Sequence, residues 1–382
     1  METQVGLNAV LQKKVDDFIE RSKVDSEKIY RQLENREIED FVVPSANIDF
    51  GIQTKINGEG EGNGSYVALR AKLQNESRIW KVNGHSANQI GAKLGLPAAW
   101  VEDSINGQRY EQEAVAFALN KYMSNYEGKD NRFLMRNVDN TVRGFLSTSY
   151  KRMNTREIFM KFIETAKEFN LPLIGAFEGD ARDYLEILDP KIIWIETPNN
   201  GWVAYARGAQ LKNGDFGGTR LEFRSFWKKA ICLNGAIGQS YIKEVHLGSR
   251  LAQDFVYSIE TINKETEVKA LKVRDAVRYV FSERNQQFEE AQIVEASGKK
   301  IDLVREVERL PKLGMTKTET KAVESVLMAR NENDGLFGEA TIYLLANAIS
   351  AYANTLNPQR SLIVTGKQIG RASCRERVYV LV

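Results

Sequence analysis

The chain has 382 residues, of which 42% are hydrophobic and 27% are charged, with a formal net charge of +2. These fractions are ordinary for a globular protein and exclude a collagen-like chain or a highly charged disordered one. The near-neutral charge means that nucleic-acid binding would need a local basic face. The first turns lack the apolar core of a signal peptide, and no apolar run approaches the roughly 20 residues of a membrane span. We therefore expect a cytoplasmic protein without membrane contact.

The last residues, 368–382, are excluded from the fold prediction. Residues 369–378 correspond, codon for codon, to one reading frame of a common sequencing-library adapter. We interpret 368–382 as an adapter artefact, whose charged residues account for the whole formal charge of +2. Because Cys374 lies in this tail, Cys232 is then the single natural cysteine, which excludes a disulfide or a cysteine-rich zinc site within one chain. We expect neither a metal nor a cofactor.

Residues 1–40 predict a helical N-terminal arm, because apolar residues recur at helical spacing around Val15 and Ile19. Alternation over 48–52 predicts a strand, and a glycine-rich run at 58–64 separates it from a second strand. The glycine run could hold a phosphate, but it carries two acidic residues and lacks the Lys-Ser/Thr of a P-loop. We interpret it as the loop of a hairpin.

Two short helices joined by a tight turn are predicted after residue 84. Ser86 and Gln89 have capping-box spacing, Gly95 is a typical helix stop, and Pro97 suits the first turn of a second helix. This is the outline of a DNA-binding helix-turn-helix. However, residues 98–103 offer no basic recognition face, which favours a structural hairpin.

Strand patterns dominate residues 132–229, interrupted by one helix that begins near Asn154. In the strand that starts at Arg220, Leu221 and Phe223 fall on one face and the charged residues fall on the other. This alternation indicates a sheet with one buried and one solvent-exposed face. We therefore predict a mixed α+β core domain over 41–249, in which helices flank a mostly antiparallel sheet.

The composition changes after residue 250. Neither glycine nor proline occurs from 249 to 296, and apolar residues keep helical spacing. Thr316 and Glu319 have the spacing of a second capping box. We predict an all-helical region over 250–367, so that the fold class is α+β.

A cysteine and a histidine near the end of the strand region are weak catalytic candidates. His246 could draw the proton from the Cys232 thiol and create a nucleophilic thiolate. The alternative is that Cys232 is a small core residue on an apolar strand. Strand alternation then places His246 opposite to Val245 and Leu247, on the exposed side of a sheet with one solvent-exposed face.

A magnesium-dependent nuclease is a second enzymatic alternative. Asp180 and Asp189 could hold Mg²⁺ while Lys191 orients the attacking water. Pro190 is a poor residue for a central strand, which favours an exposed strand with turn residues and no metal.

Basic residues form the third candidate site. Their cationic groups could neutralise phosphates, and a tyrosine could stack on a base, as single-strand binders require. Charge runs are also common on solvated faces, so the alternative of a plain surface stays open. The candidate nucleic-acid-binding residues are Arg143, Tyr150, Lys151, Arg152, Arg220, Arg224, Lys228, Lys243, His246 and Arg250.

Four sequence blocks follow one another along the chain: 86–97, 141–150, 232–235 with 245–248, and 343–352. In this order and spacing they resemble the phage/plasmid-like proteins grouped as domain of unknown function 932. The chain departs from that family because Ser149 is not followed by the aspartate of a frequent Ser-Asp-x-Tyr block, and because the N-terminal arm lies outside the resemblance. The resemblance implies a bacterial host, residence on phages, prophages or plasmids, and a role in replication, recombination or defence. It supplies no catalytic residues.

We therefore predict a protein that binds nucleic acid, with single-stranded DNA as the expected partner, in annealing or recombination of phage or plasmid DNA. Two alternatives remain. One is an enzyme with a Cys/His or Mg²⁺ site, although binding is favoured over catalysis. The other is a protein-interaction factor that acts on host defence or replication proteins. Homo-oligomerisation is left open by the sequence.

Overall fold

Two β-sheets and the helices packed on them form the fold. The computed structural model describes residues 2–54, 65–74, 76–106, 110–126, 132–179, 181–198, 201–230, 235–237, 240–246, 257–333, 341–353 and 355–356. Among these residues, every helix is too short or too polar to cross a membrane.

The first sheet contains β1 Glu39–Pro44, β2 Ile48–Thr54, β3 Ser65–Lys72, β4 Ser77–Val82, β5 Arg132–Val138 and β6 Thr141–Ser147. Its strand order is β1-β5-β6-β4-β3-β2. β4 pairs in parallel with β6, and the other pairs are antiparallel.

The second sheet contains β7 Leu173–Phe177, β8 Asp183–Thr197, β9 Gly201–Asn213, β10 Leu221–Lys229, β11 Gly235–Ile237 and β12 Ser240–Glu244. Its order is β11-β10-β9-β8-β7, and β12 also pairs with β10. All of these pairs are antiparallel.

The helices are α1 Glu2–Ser22, α2 Ser26–Glu34, α3 Gly84–Leu94, α4 Ala98–Asn106, α5 Gln112–Ser124, α6 Thr155–Glu168, α7 Ile259–Val280, α8 Glu283–Gly298, α9 Leu303–Arg309, α10 Lys317–Asn333 and α11 Ile342–Ala353. α3, α4 and α5 bury one face of the first sheet. α6 and α7 cover one face of the second sheet, and α8 and α11 continue that cover. α1 packs on the opposite face.

The α+β class, the mostly antiparallel pairing and the helical C-terminal region are confirmed, and the strands divide into two sheets. Alternation of apolar residues fixes which side chains share a face, but it does not specify which strands pair. Pro190 lies within one long strand, β8, whose register is irregular between Leu188 and Ile192. The predicted arm consists of two helices, and β1 and β4 had no predicted counterpart.

The helical hairpin of α3 and α4 forms as predicted, with one correction at its start. The N-cap is Asn83, whose side-chain oxygen accepts a hydrogen bond from the Ser86 amide at 2.9 Å. Gly95 ends α3 with φ +70°, in the left-handed region. Ile90 of α3 and Val101 of α4 are fully buried in the core of the first sheet, so this hairpin forms part of the hydrophobic core.

Candidate nucleic-acid interface

The loop between β9 and β10 lies against the first sheet. A Cβ atom at Gly144 of β6 would come within 3.4 Å of both Cα and Cβ of Phe216. The Phe216 carbonyl accepts a hydrogen bond from Gln89 Nε2 of α3 at 2.7 Å. Residues 214–219, called the 214–219 loop below, therefore connect a strand end of one sheet to the surface of the other.

Asp215 in this loop caps α6. Its side chain is fully buried, and Oδ1 accepts hydrogen bonds from Thr155 N at 2.7 Å and Thr155 Oγ1 at 2.9 Å. Asn154 does occupy the N-cap position, but its side chain makes no capping bond and accepts instead from Arg136 Nη2 at 2.8 Å. The cap of α6 thus comes from a residue far along the chain.

Arg136 of β5 is buried and directs its guanidinium to three acceptors. Nε donates to Asp40 Oδ1 at 2.8 Å and Nη1 donates to the Asp215 carbonyl at 2.7 Å, in addition to the Asn154 bond. Burial disfavours the charged guanidinium, but Asp40 and Asp215 more than offset this and raise the pKa of Arg136. One side chain therefore joins the first sheet to the 214–219 loop and to α6.

Arg36, just beyond α2, adds the N-terminal segment to the same cluster. Its Nη1 lies 2.8 Å from Asp183 Oδ2 of β8, and its Nη2 lies 3.6 Å from Asp215 Oδ2. Burial and the charge of Asp215 raise the pKa of Asp183 to about 6, against the opposing effect of Arg36. We call Arg36, Asp40, Arg136, Asp183 and Asp215 the buried polar cluster.

Tyr150 and His246 pack beside this cluster. Their rings stack at a centroid distance of 5.0 Å, and the Tyr150 hydroxyl donates to the Gly214 carbonyl at 3.0 Å. His246 Nδ1 lies 3.0 Å from the Lys151 carbonyl, and Nε2 lies 2.9 Å from Asn213 Oδ1. His246 is only 6% exposed, so the expectation of an exposed histidine is wrong. Ile242, four residues earlier, is paired with Phe223 and packs into the core beneath α6 and α7, so His246 falls on the inward side of this segment, against Tyr150.

These contacts bear on two predicted roles. Both ring nitrogens of His246 are engaged with protein oxygens, and burial lowers its pKa. The partner in the Cys/His hypothesis, Cys232, lies outside the described residues. One face of the Tyr150 ring is occupied by His246, so that this tyrosine supports the 214–219 loop rather than offering a free stacking surface.

Several predicted basic residues do come together, around Glu222 of β10. Glu222 is directly opposite Lys212 on β9 and directly opposite Lys243 on β12. Lys212 Nζ is 2.9 Å from its carboxylate, and Arg220 Nη2 is 3.1 Å away. Arg224 lies two residues further along the same face of β10. We call Lys212, Arg220, Glu222, Arg224 and Lys243 the Glu222 cluster.

The electrostatics of this cluster follow from its geometry. Glu222 is 5% exposed, and burial alone would raise its pKa. Lys212, Arg224 and Arg220 reverse that effect and lower the pKa of Glu222 to about 2. Lys243 is exposed. Lys212 was absent from the sequence prediction, although its alternation with Leu211 on β9 placed it on the polar face.

The remaining predicted residues lie elsewhere. Lys151 pairs with Glu265 at 3.3 Å, Arg152 pairs with Asp40 at 2.6 Å, and Arg143 lies 3.8 Å from Glu178. Lys228 packs over the Phe18 and Phe226 rings. Arg250 lies outside the described residues. The ten candidates therefore do not form one continuous surface within the described part of the chain.

The nuclease candidates Asp189 and Lys191 lie within β8, where its pairing with β9 is irregular between Leu188 and Ile192. Asp189 Oδ1 accepts a hydrogen bond from the Lys191 amide at 2.9 Å, and its Oδ2 lies 3.9 Å from Arg207. Asp180 lies outside the described residues. In the described ranges, His, Cys, Asp and Glu side chains form no group of three or more that could hold a metal ion.

No protein-family model, no curated protein and no solved structure matches the chain. The resemblance to the phage/plasmid-like family therefore depends on the sequence blocks. Two of these blocks contact each other in the fold, because the Ser86 hydroxyl bonds the Val142 carbonyl and Gln89 Oε1 accepts from the Phe145 amide at 2.7 Å.

Proposed function

We propose that the protein binds nucleic acid, with single-stranded DNA as the principal partner, and that the Glu222 cluster contacts the phosphate backbone. One observation carries this proposal: lysines on both neighbouring strands lie directly opposite a single buried carboxylate, and two arginines lie beside it. Cations held on adjacent strands are suited to successive phosphates of a strand.

The charge balance supports an anionic partner. Four cations of the cluster lie near two carboxylates, Glu222 and Glu186, which leaves a net charge of +2 on this face. Glu222 fixes the orientation of Lys212 and Arg220, so that less side-chain entropy is lost when a phosphate binds. This local surplus meets the condition that a nearly neutral chain needs to bind nucleic acid.

The biological setting of the proposal comes from the resemblance to phage/plasmid-like proteins. We propose that the protein anneals or protects single strands during phage or plasmid DNA metabolism. Neither activity requires a metal or a nucleotide. Membership of that family is part of the proposal.

The test is a titration of labelled single-stranded and duplex DNA at several salt concentrations. We expect affinity to fall with salt, and we expect Arg220→Ala/Lys243→Ala to reduce the salt slope for single strands by about 1.4, at ~0.7 per phosphate contact. Lys264→Ala/Lys321→Ala is the matched control, because it removes two exposed cations from helices. Wild-type protein that shows no salt-dependent binding at low ionic strength refutes the proposal. An equal slope change in both double variants refutes the role of the Glu222 cluster.

A further inference from the structure

The first sheet has one face packed and one face that carries polar and aromatic side chains. On β3, Val67 and Leu69 point into the core with α3, α4 and α5, so Tyr66 and Arg70 lie on the opposite face. On β4, Trp80 is in the core, and Ile79 and Lys81 lie on that opposite face. We call this surface the outer face of β2–β4.

Arg70 lies flat across β2. A Cβ atom on Gly51 would lie 2.5 Å from Arg70 Cζ, so only glycine leaves room for the guanidinium in this position. Asp49 holds the guanidinium through Nη2 at 2.5 Å. The Arg70 side chain is nevertheless 43% exposed, and Ile79, its register partner on β4, is 42% exposed. A planar cation is thus presented beside an exposed apolar side chain.

Tyr66 lies on the same face of β3, four residues before Arg70. Lys81 Nζ is 5.9 Å from the centroid of its ring. The outer face carries Arg70, Lys72 and Lys81 against Asp49, a net charge of +2. It therefore combines planar groups with surplus positive charge.

We infer that the outer face of β2–β4 is a base-stacking site for a single nucleic-acid strand, with bases on Tyr66 and the Arg70 guanidinium and phosphates near Lys81. This inference rests on the proposed function and adds a second contact region to it. Aromatic rings and guanidinium planes stack on unpaired bases of any sequence, and nearby cations neutralise the backbone. A duplex keeps its bases stacked inside, so this face discriminates single strands from duplexes.

The test compares three probes: a fluorescent 20-nucleotide oligothymidylate, a 20-base-pair duplex, and a strand of the same length made of abasic sites. We expect Tyr66→Ala to weaken oligothymidylate binding about tenfold, in line with ~1–3 kcal/mol per stacked base, and to leave the duplex and the abasic strand unchanged. Tyr66→Trp should restore the affinity, which separates stacking from a folding defect. Arg70→Lys keeps the positive charge but removes the planar guanidinium. We expect this variant to bind oligothymidylate about threefold more weakly and to bind the other two probes as wild type does.

Tyr122→Ala is the matched control, because Tyr122 is 48% exposed on α5 and lies away from the outer face. If wild-type protein binds DNA with salt dependence but Tyr66→Ala and Arg70→Lys bind oligothymidylate as wild type does, the stacking site is refuted and the proposed function stands. A parallel loss for all three probes also refutes stacking. If wild-type protein binds none of the probes, both proposals fall.

Discussion

Asp183 is the residue whose ionisation is most clearly tied to the fold. Burial raises its pKa from 3.8 to about 6, with a further contribution from Asp215 and an opposing one from Arg36. Between these two pH values the native state holds a proton that the unfolded chain has released. The free energy of unfolding contributed by Asp183 is therefore greatest below about pH 4 and is lost as pH rises through about 6.

We expect Asp183→Asn to flatten this dependence. The variant carries no titrating proton, so between pH 4.5 and 6.5 wild-type protein should lose on the order of 2 kcal/mol more stability than the variant. Urea unfolding at pH 4.5, 5.5 and 6.5 measures the difference. Asp103→Asn, at an exposed position on α4, should keep the wild-type slope. Equal slopes in Asp183→Asn and wild type contradict the assignment.

Asp215 combines a helix cap with a buried charge. We expect Asp215→Ala to lower the free energy of unfolding by about 3–5 kcal/mol, because Thr155 loses its acceptor and Arg36 and Arg136 lose a buried counter-charge. Asp215→Asn retains an acceptor oxygen and should lose less. Chemical denaturation measures both variants, with Asp103→Ala as the exposed control. A loss below 1 kcal/mol for Asp215→Ala is inconsistent with this role.

At the scale of elements, the ends of the helices show how far local pattern extends. The Thr316 and Glu319 capping box forms both of its bonds, from the Thr316 amide to Glu319 Oε2 at 2.7 Å and from the Glu319 amide to Thr316 Oγ1 at 3.2 Å. α6, in contrast, takes its cap from Asp215. The cap of α10 lies within three residues and follows from the sequence, whereas the cap that Asp215 supplies to α6 comes from another element and does not.

Gly95 provides a test of the α3 C-cap. Its φ is +70°, and nothing lies within 4 Å of an added Cβ atom, so a substitution strains the backbone alone. We expect Gly95→Ala to cost about 1–2 kcal/mol, and Gly95→Asn to cost less. Gly298→Ala at the end of α8 is the control, since its Cβ atom would meet only Pro198 Cγ at 3.7 Å. It should be neutral or slightly stabilising in the same thermal unfolding series. Equal losses of stability in Gly95→Ala and Gly298→Ala would contradict backbone strain at position 95.

At the scale of the whole molecule, the buried polar cluster connects parts that the hydrophobic cores leave separate. The apolar core of the first sheet and that beneath α6 and α7 are distinct clusters. Arg136 lies between them with hydrogen bonds to β1, α6 and the 214–219 loop. The relative placement of the two sheets therefore depends on directional polar contacts as well as on apolar burial.

Arg136→Lys tests this connection, because an ammonium keeps the charge but cannot make the three divergent bonds of the guanidinium. We expect a loss of about 3 kcal/mol. We also expect faster amide hydrogen exchange in both β5–β6 and the 214–219 loop. Arg274→Lys, at a half-buried position paired with its neighbour Asp275, should change stability by less than about 0.5 kcal/mol. Faster exchange confined to one of the two regions contradicts a connecting role.

The sequence by itself determined the α+β class, the buried face of strands with clear alternation such as β10, and the helical C-terminal region, because these follow from periodicity over a few residues. Alternation also placed Arg220 and Arg224 on the polar side of their strand. Only the tertiary structure decided that Lys212 and Lys243 meet at Glu222, that His246 turns inward, and that Tyr66 and Arg70 share a face with Lys81. Arg36 and Asp183 are 147 positions apart in the chain. Contacts between residues this far apart depend on strand register and on how the two sheets pack against each other. Both depend on the packing of the whole chain.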